Sequence, residues 1–595
     1  SVHDCKGLVP ISLKNGVTGL HWTYASGHST DYMGKLISHY NQEVMMKKFD
    51  DDSNYKLLYD VICEVSDRMF PGVADDSLDP IDYSNREMLM HTFSHTGIGL
   101  FRETMGKNLK KDEIREVVID MITDCFERCI PLSEEDAMIL VRNLITSVTQ
   151  TSVKLEDRAP EFNDLTGEWE EAPGERIFHI EDTISFACSK PVVAPFANCG
   201  GFGDGIDGQP NGIGMSFSGD SAYTFINEMT GNTKIFGPLP KTVPEWIRWQ
   251  KKVCEYFHIV EWDWSKWDIT ACSTLISLIL KKLFSKYRIR VNPPPNCINP
   301  EEYPDPNSHE YHVHRFFRLV LWRIIEVAIV KIMSSPCGGD FYYVMNGMSS
   351  GKYITSIINT FLNAVITNFI LALHFGFDNL KKTRKAGGAN DKFFGDDVFL
   401  MLAKYAFPNI NAEMFIKTAK DYFGMIIKPE NFKFCERLFV DINKRSDKKC
   451  PTFLKMQFNL VNCPQCEIPH VAWFRNSDLI IPKIFTNSVA STTNAILVSK
   501  LFCIAWTLGV NRKTYEFCKY LIEYLDVSEI NEYEPEAIKK FEVHGMHVPF
   551  NRFPTYAEVV LYNSCPYSMS IRRKIRRFIP WSEYVRGGEA FYTAE

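Results

Sequence analysis

The sequence predicts an α+β chain, and three segments predict it. A short strand ends in an acidic turn that leads into a helix over 258–287. A long uncharged helix fills 353–377. A β-hairpin with two adjacent aspartates in its turn spans 392–400. The 595 residues exceed one ordinary domain and suggest three or four. At 45% hydrophobic and 23% charged, the composition is ordinary for a globular protein.

The first segment, His258-Ile259-Val260-Glu261-Trp262-Asp263, reads as a strand with Asp263 at its end. Asp268 follows five residues later. A helix-like run from Ala271 to Tyr287 then puts Leu275, Leu278, Ile279 and Leu283 on one face. Either aspartate also reads as a helix cap, with Ile269 beginning the helix after Asp268. A strand-end aspartate can meet a hairpin aspartate across a sheet. Phosphoryl transfer by two metals needs that geometry, with cations about 3.5–4 Å apart held by carboxylates from separate strands.

The second segment opens with Asn346-Gly347-Met348-Ser349-Ser350-Gly351 and continues from Tyr353 to Phe377 without a formal charge. Its length would span a bilayer. Its first half holds Thr355, Ser356, Asn359, Thr360 and Asn363, which favours a buried core helix. Thr355 and Asn359 are four apart and share a helix face. Glycines permit a loop that approaches a ligand closely. Polar groups at fixed spacing on a buried helix suit recognition of a sugar hydroxyl, and they equally suit a core helix with satisfied polar residues. The run from Phe316 to Met333 is broken by Arg318, Arg323, Glu326 and Lys331, so it is no span. The N-terminus lacks an apolar signal core. A first residue Ser1 rather than Met is what release from a polyprotein, or an expression scar, would leave.

In the third segment, apolar residues run into Gly395-Asp396-Asp397 and out of it. Gly-Asp suits the positive φ of a tight hairpin turn. Two adjacent carboxylates on a turn repel each other, and a divalent cation with oxygen ligands is the simplest reason to place them together. An acidic surface turn is the alternative.

The ordered set Asp263-x4-Asp268, Ser350-Gly351-x3-Thr355-x3-Asn359 and Gly395-Asp396-Asp397 resembles motifs A, B and C of viral RNA-dependent RNA polymerases, closest to the picornavirus-like group of positive-strand RNA viruses. Thr96-Gly97-Ile98-Gly99 looks like the template-entry motif G. Lys154 to Arg158 and Gly174 to Phe178 look like the two ends of motif F. Lys420 to Met425 resembles motif D, and Phe453-Leu454-Lys455-Met456-Gln457-Phe458 resembles motif E, the primer-gripping hairpin. The segment from Ser491 to Leu521 is similar to the thumb helices.

The resemblance implies a closed right hand: fingers over 1–250 with 288–340 returning to them, a palm of 251–287 and 341–460, and a thumb with a C-terminal extension over 461–595. The palm would be an antiparallel sheet flanked by helices, and the thumb helical. It further implies that Asp263 and Asp396, assisted by Asp397, bind two Mg²⁺ ions, with Mn²⁺ able to substitute. Asp268 and Asn359, supported by Ser350, Gly351 and Thr355, would read the ribose 2′-hydroxyl, the group that separates RNA from DNA. Lys154, Arg158 and Arg176 would line nucleotide entry. Thr96, Gly97, Phe453, Leu454 and Lys455 would contact template and primer. A general acid for pyrophosphate departure is implied just after motif D. The family places a lysine there, Phe432 stands at that position in this chain, and Lys433 beside it is the candidate, with Lys428 upstream. Implied partners are template and product RNA, nucleoside triphosphates, a protein primer and other viral replication proteins. The implied setting is the host cytoplasm, at membrane-associated replication complexes.

The net charge of −7 argues against a general nucleic-acid coat, yet only a channel lining must be positive. Between the two ends of motif F the chain departs from the family with Glu161, Asp164, Glu168, Glu170, Glu171 and Glu175. The run from Arg572 to Arg577 reads as an RNA or membrane contact, or as a solvated helix face. Seventeen scattered cysteines fit a reducing compartment better than a disulfide framework. Cys463, Cys466 and His470 supply three zinc-type ligands without a fourth, so zinc is not expected. Two rivals remain. A reverse transcriptase shares the two palm acids, but it typically carries a bulky side chain near the position of Asp268. An inactive palm serving as an RNA-binding scaffold has no need of clustered acids.

Overall fold

The computed structural model describes residues 46–93, 109–154, 161–163, 168–170, 176–201, 208–215, 217, 219–265, 267–334, 341–440, 447–464, 467–485, 494–524 and 553–564. Fourteen strands are described: β1 (Val148–Lys154), β2 (Glu161–Asn163), β3 (Glu168–Glu170), β4 (Arg176–Ile180), β5 (Phe257–Glu261), β6 (Trp264–Ser265), β7 (Lys331–Ser334), β8 (Phe341–Val344), β9 (Ala389–Phe394), β10 (Asp397–Ala403), β11 (Ile426–Ile427), β12 (Lys433–Phe434), β13 (Gln457–Asn462) and β14 (Pro469–Phe474). The helices that position the site are α1 (Asp52–Met69), α2 (Ser221–Met229), α3 (Val243–Tyr256), α4 (Ser273–Phe284), α5 (His309–Ile329), α6 (Thr355–Phe375) and α7 (Ala412–Phe423).

The central sheet has the order β12-β5-β10-β9, and every neighbour is antiparallel. Its strands alternate between two cores, as the two-residue period of a strand dictates. Val260, Phe393, Val398, Leu400 and Leu402 face a large core shared with α1, α4, α5 and α6. Phe257, Ile259, Phe399 and Met401 face a second core built with α2, α3 and the β13–β14 hairpin. Both faces are covered, so after Asp397 strand β10 is apolar at every position. A second sheet, β4-β1-β7-β8, is mixed, because β1 pairs with β7 in parallel.

Helix α6 is the predicted uncharged helix, two residues shorter at each end, and Gly376 closes it with a positive φ. Its most apolar window is 89% buried, as expected of a helix that is apolar all round in a large core. It packs against α1, α4, α7 and β9. The helix-cap readings of the two aspartates do not hold. Asp268 lies inside a short helix, Trp267–Thr270, and the cap of α4 is Cys272. Toward the C-terminus, Ser477–Phe485, Asn494–Leu508 and Arg512–Tyr524 share a core of Ile481, Val498, Leu501, Cys518 and Leu521. Helix Tyr556–Ser564 ties this cluster back, since the Tyr562 carbonyl accepts the Gly219 N–H at 2.8 Å.

Candidate active site

Strands β9 and β10 form the predicted hairpin. Asp397 pairs with Phe394, which leaves Gly395 and Asp396 as a two-residue turn. Gly395 has φ +60°, the first-position glycine that such a turn favours. The turn is hung from α6. The Gly395 N–H donates to Thr360 Oγ1 at 2.9 Å. Asn363 Nδ2 donates to the carbonyls of Gly395 and Asp397 at 3.1 and 3.2 Å. Asn363 Oδ1 accepts from the Trp264 indole at 3.2 Å. One amide therefore joins the hairpin to the chain segment just beyond Asp263. Sequence reasoning noted Thr360 and Asn363 as polar but gave them no role. For Asn363, its four- and eight-residue spacing from Asn359 and Thr355 was the available signal.

Farther down β9, Asp391 is buried between two guanidinium groups. It takes a bidentate bond from Arg68 at 2.7 and 2.9 Å, and Arg384 lies at 3.5 Å. Asn368 adds a hydrogen bond at 3.0 Å. Burial alone would raise this carboxyl. The two arginines overcome it and hold Asp391 far below the usual carboxylate range. The next residue, Lys392, is buried against Glu228 at 2.9 Å. No sequence pattern could disclose these partners, because Arg68 lies 323 residues from Asp391.

Strand β5 runs antiparallel beside β10 in the register Leu400–Val260. Carried three residues toward the turn, that register brings Asp263 level with Asp397. Asp397 is pushed up to about 7, first by burial and then by the charges of Asp396, Asp263 and Glu261, with Lys455 opposing them. Four carboxylates thus sit within one another's field. Among the described residues no three His, Cys, Asp or Glu side chains stand in a ready metal cage. The donor set nevertheless fits a hard divalent cation. It is all carboxylate oxygen, and it carries a charge excess that a cation would cancel.

The glycine loop docks on the Asp268 helix through backbone bonds, Met348 N–H to the Asp268 carbonyl at 2.7 Å and Gly347 N–H to the Ala271 carbonyl at 2.9 Å. Gly351 has φ +101°, and a Cβ there would lie 2.1 Å from the His179 carbonyl oxygen, so only glycine fits. The Ser350 carbonyl accepts the His179 N–H at 2.8 Å, and Thr355 Oγ1 donates to the Ser349 carbonyl at 2.6 Å. Asn359 is buried, and its Oδ1 has no hydrogen-bond partner among the described residues.

Lys154 and Arg176 are opposed residues of β1 and β4, while Arg158, Thr96 and Gly97 lie outside the described residues. So do Cys466 and the basic run 572–577, and Cys463 closes the turn from β13 to β14. Phe453 and Met456 bond reciprocally around Leu454 and Lys455, both with positive φ, and Phe453 is buried against Phe225. Lys433 pairs with Glu261 in β12, and its ammonium lies 2.6 Å from that carboxylate. Burial pushes Glu261 up to about 7 against this pull from Lys433. Phe432, where the family has lysine, stacks on Trp262 with ring centroids 5.4 Å apart and planes 1° apart.

Residues 240–466 match the viral RNA-dependent RNA polymerase family. Two relatives are each named "Non-structural polyprotein 1AB". That of Avian nephritis virus 1 is 27% identical over 212 residues, covering 34% of this chain and 12% of the polyprotein. That of Turkey astrovirus 1 is 26% identical over 183 residues, covering 30% of this chain and 10% of the polyprotein. The chain spans about a tenth of the curated relatives it matches. The family match contains both acid-bearing strands, the glycine loop and the Phe453 turn, so residues 240–466, with the candidate site they carry, are similar to viral RNA-dependent RNA polymerases.

Proposed function

We propose that this chain performs template-directed RNA synthesis, joining nucleotides to an RNA 3′-hydroxyl for replication and transcription of a viral genome. The observation that carries the proposal is the meeting of Asp263, Asp396 and Asp397 at the ends of adjacent antiparallel strands beneath a helix that presents a buried Asn359 amide oxygen, unpaired among the described residues. Two Mg²⁺ ions held by these acids would activate the hydroxyl nucleophile and neutralise triphosphate charge, with Mn²⁺ as a substitute. Asp263 and Asp396 would hold the ions, and Asp397, whose carboxyl feels both of their charges, would assist. Asp268 and Asn359 read the ribose, and the Ser350–Gly351 loop and Thr355 fix their approach. Lys154, Arg158 and Arg176 draw in the triphosphate, Lys455 approaches the primer end, and positioning supplies most of the rate. Lys433 remains the nearest candidate for the proton donor to pyrophosphate, its ammonium held by Glu261.

The architecture that suits this chemistry is the closed right hand. The central sheet is its palm, the mixed sheet and N-terminal helices its fingers, and the C-terminal helices its thumb. RNA and triphosphates are the partners that the domain family implies. The polyprotein relatives favour further viral replication proteins, with a protein primer among them. Replication complexes on cytoplasmic membranes are the setting that the family resemblance supports.

The test is extension of an RNA primer on a defined RNA template with MgCl₂ and labelled NTPs. The wild-type chain should incorporate label. Asp396→Asn should bind RNA and melt normally, yet lose several kcal/mol of transition-state stabilisation, about a thousandfold in rate. Wild-type-like incorporation by this variant would remove the assignment. Parallel reactions with dNTPs separate this reading from a reverse transcriptase.

A further inference from the structure

We propose that Asn431 is a positioning residue that holds the Asp263 carboxylate in the orientation needed to bind a divalent cation. The inference rests on the polymerase reading and deepens it. Asp263 is exposed at the end of β5, so packing does not fix its side chain. Its Oδ2 accepts a hydrogen bond from Asn431 Nδ2 at 3.0 Å, and among the described residues no other side chain bonds to it.

Asn431 can perform this task because the turn that carries it is built onto β5. The Lys428 N–H donates to the Asp263 carbonyl at 3.1 Å. Pro429 to Asn431 form a single 3₁₀ turn, with the Asn431 N–H bonded to the Lys428 carbonyl at 3.1 Å. Phe432 then lies flat on Trp262, the residue before Asp263, and also packs on Phe415. Lys433 closes the wrap by pairing with Glu261 in the sheet and through its ammonium. Attachments at Lys428, Phe432 and Lys433 thus flank the one amide that reaches the carboxylate. They also give the aromatic residue after Asn431 a purpose, because Phe432 anchors the turn to the strand that bears Asp263.

A partner that orients a metal ligand acts on metal affinity more than on substrate affinity. Such partners typically contribute 10–100-fold, and a solvent-exposed one belongs near the lower figure. The amide nitrogen donates to one carboxylate oxygen, which leaves the other oxygen and the remaining lone pair for a cation.

The experiment uses the full chain as wild type, Asn431→Ala and Asn431→Leu. The leucine variant keeps the same branched shape and number of heavy atoms and lacks the donor. Mn²⁺ alone is titrated into each protein, and free ion is read by electron paramagnetic resonance. Mg²⁺ dependence of primer extension and KM for NTP at saturating Mg²⁺ are measured alongside. We expect both variants to melt like wild type, to bind Mn²⁺ about tenfold more weakly and to need about tenfold more Mg²⁺, with an unchanged KM for NTP. Unchanged Mn²⁺ affinity in both variants, beside an active wild type, overturns the inference and leaves the polymerase reading standing. A loss of extension without a change in Mn²⁺ affinity overturns it as well. A wild type that neither binds Mn²⁺ nor extends a primer overturns the polymerase reading, and this inference with it.

Discussion

Asn359 offers a donor and an acceptor from the second turn of a core helix, and its acceptor is unpaired among the described residues. A buried amide in that condition costs stability unless a bound group completes it. A ribose 2′-hydroxyl would complete it and a deoxyribose would not. Asn359→Ala, and likewise Asp268→Ala, should therefore lower the preference for NTP over dNTP by about tenfold, the worth of one hydrogen bond to a polar partner. Competitive primer extension with matched NTP and dNTP measures the ratio, and an unchanged ratio would contradict the sugar-reading role. At this scale the sequence disclosed a good deal, because Asp396 and Asp397 are neighbours and Thr355 and Asn359 share a helix face. It was silent on Asn431, whose partner lies 168 residues away. It gave Lys433 a role without the Glu261 contact, since an ion pair across two strands has no fixed spacing to read.

Helix α6 and strand β9 show why elements were easier to foresee than their attachments. Periodicity and the absence of charge marked α6 as a core helix, and alternation around Gly-Asp marked the hairpin. What fixes the hairpin against the rest of the protein is a set of long-range bonds to Thr360, Asn363 and Arg68. Arg68 matters most, because it carries α1 onto the strand that leads to the Gly395–Asp396 turn. Removing Asp391 leaves Arg68 and Arg384, two buried cations, with Glu64 alone as their shared counter-charge. Asp391→Ala should cost about 3–5 kcal/mol, the usual penalty for breaking a buried ion pair. The acid is held below its ordinary value. Its contribution is therefore complete above pH of about 4, the unfolded aspartate value, and is lost as pH falls below that. Urea unfolding at pH 7 should show a lower midpoint for Asp391→Ala, and the difference from wild type should shrink in acid. Equal midpoints at pH 7 would assign the network no energetic role.

The whole molecule brings a charge excess into a half-buried cleft between two apolar cores, and stability should register it. Net charge gave no hint of this, because −7 is spread over 595 residues while four carboxylates crowd one turn. Asp397 sits at about 7 in the folded protein against about 4 unfolded, with burial the largest cause. A folded acid with a raised value binds its proton more tightly than the unfolded chain does. The folded state is therefore favoured by this group at low pH and loses that advantage as pH rises from about 4 to about 7. A divalent cation binds the ionised form and reverses the loss, because anything that binds only the folded state stabilises it. Melting temperatures with and without MgCl₂ should thus differ more at pH 8 than at pH 5.5. In Asp397→Asn the melting temperature without Mg²⁺ should be higher than wild type at pH 8, and the gain from Mg²⁺ should be smaller. Equal Mg²⁺ shifts at both pH values in the wild type would mean that the acids around the Gly395 turn do not share a cation, and the geometry that joins Asp263 to Asp397 across β5 and β10 would then need another explanation.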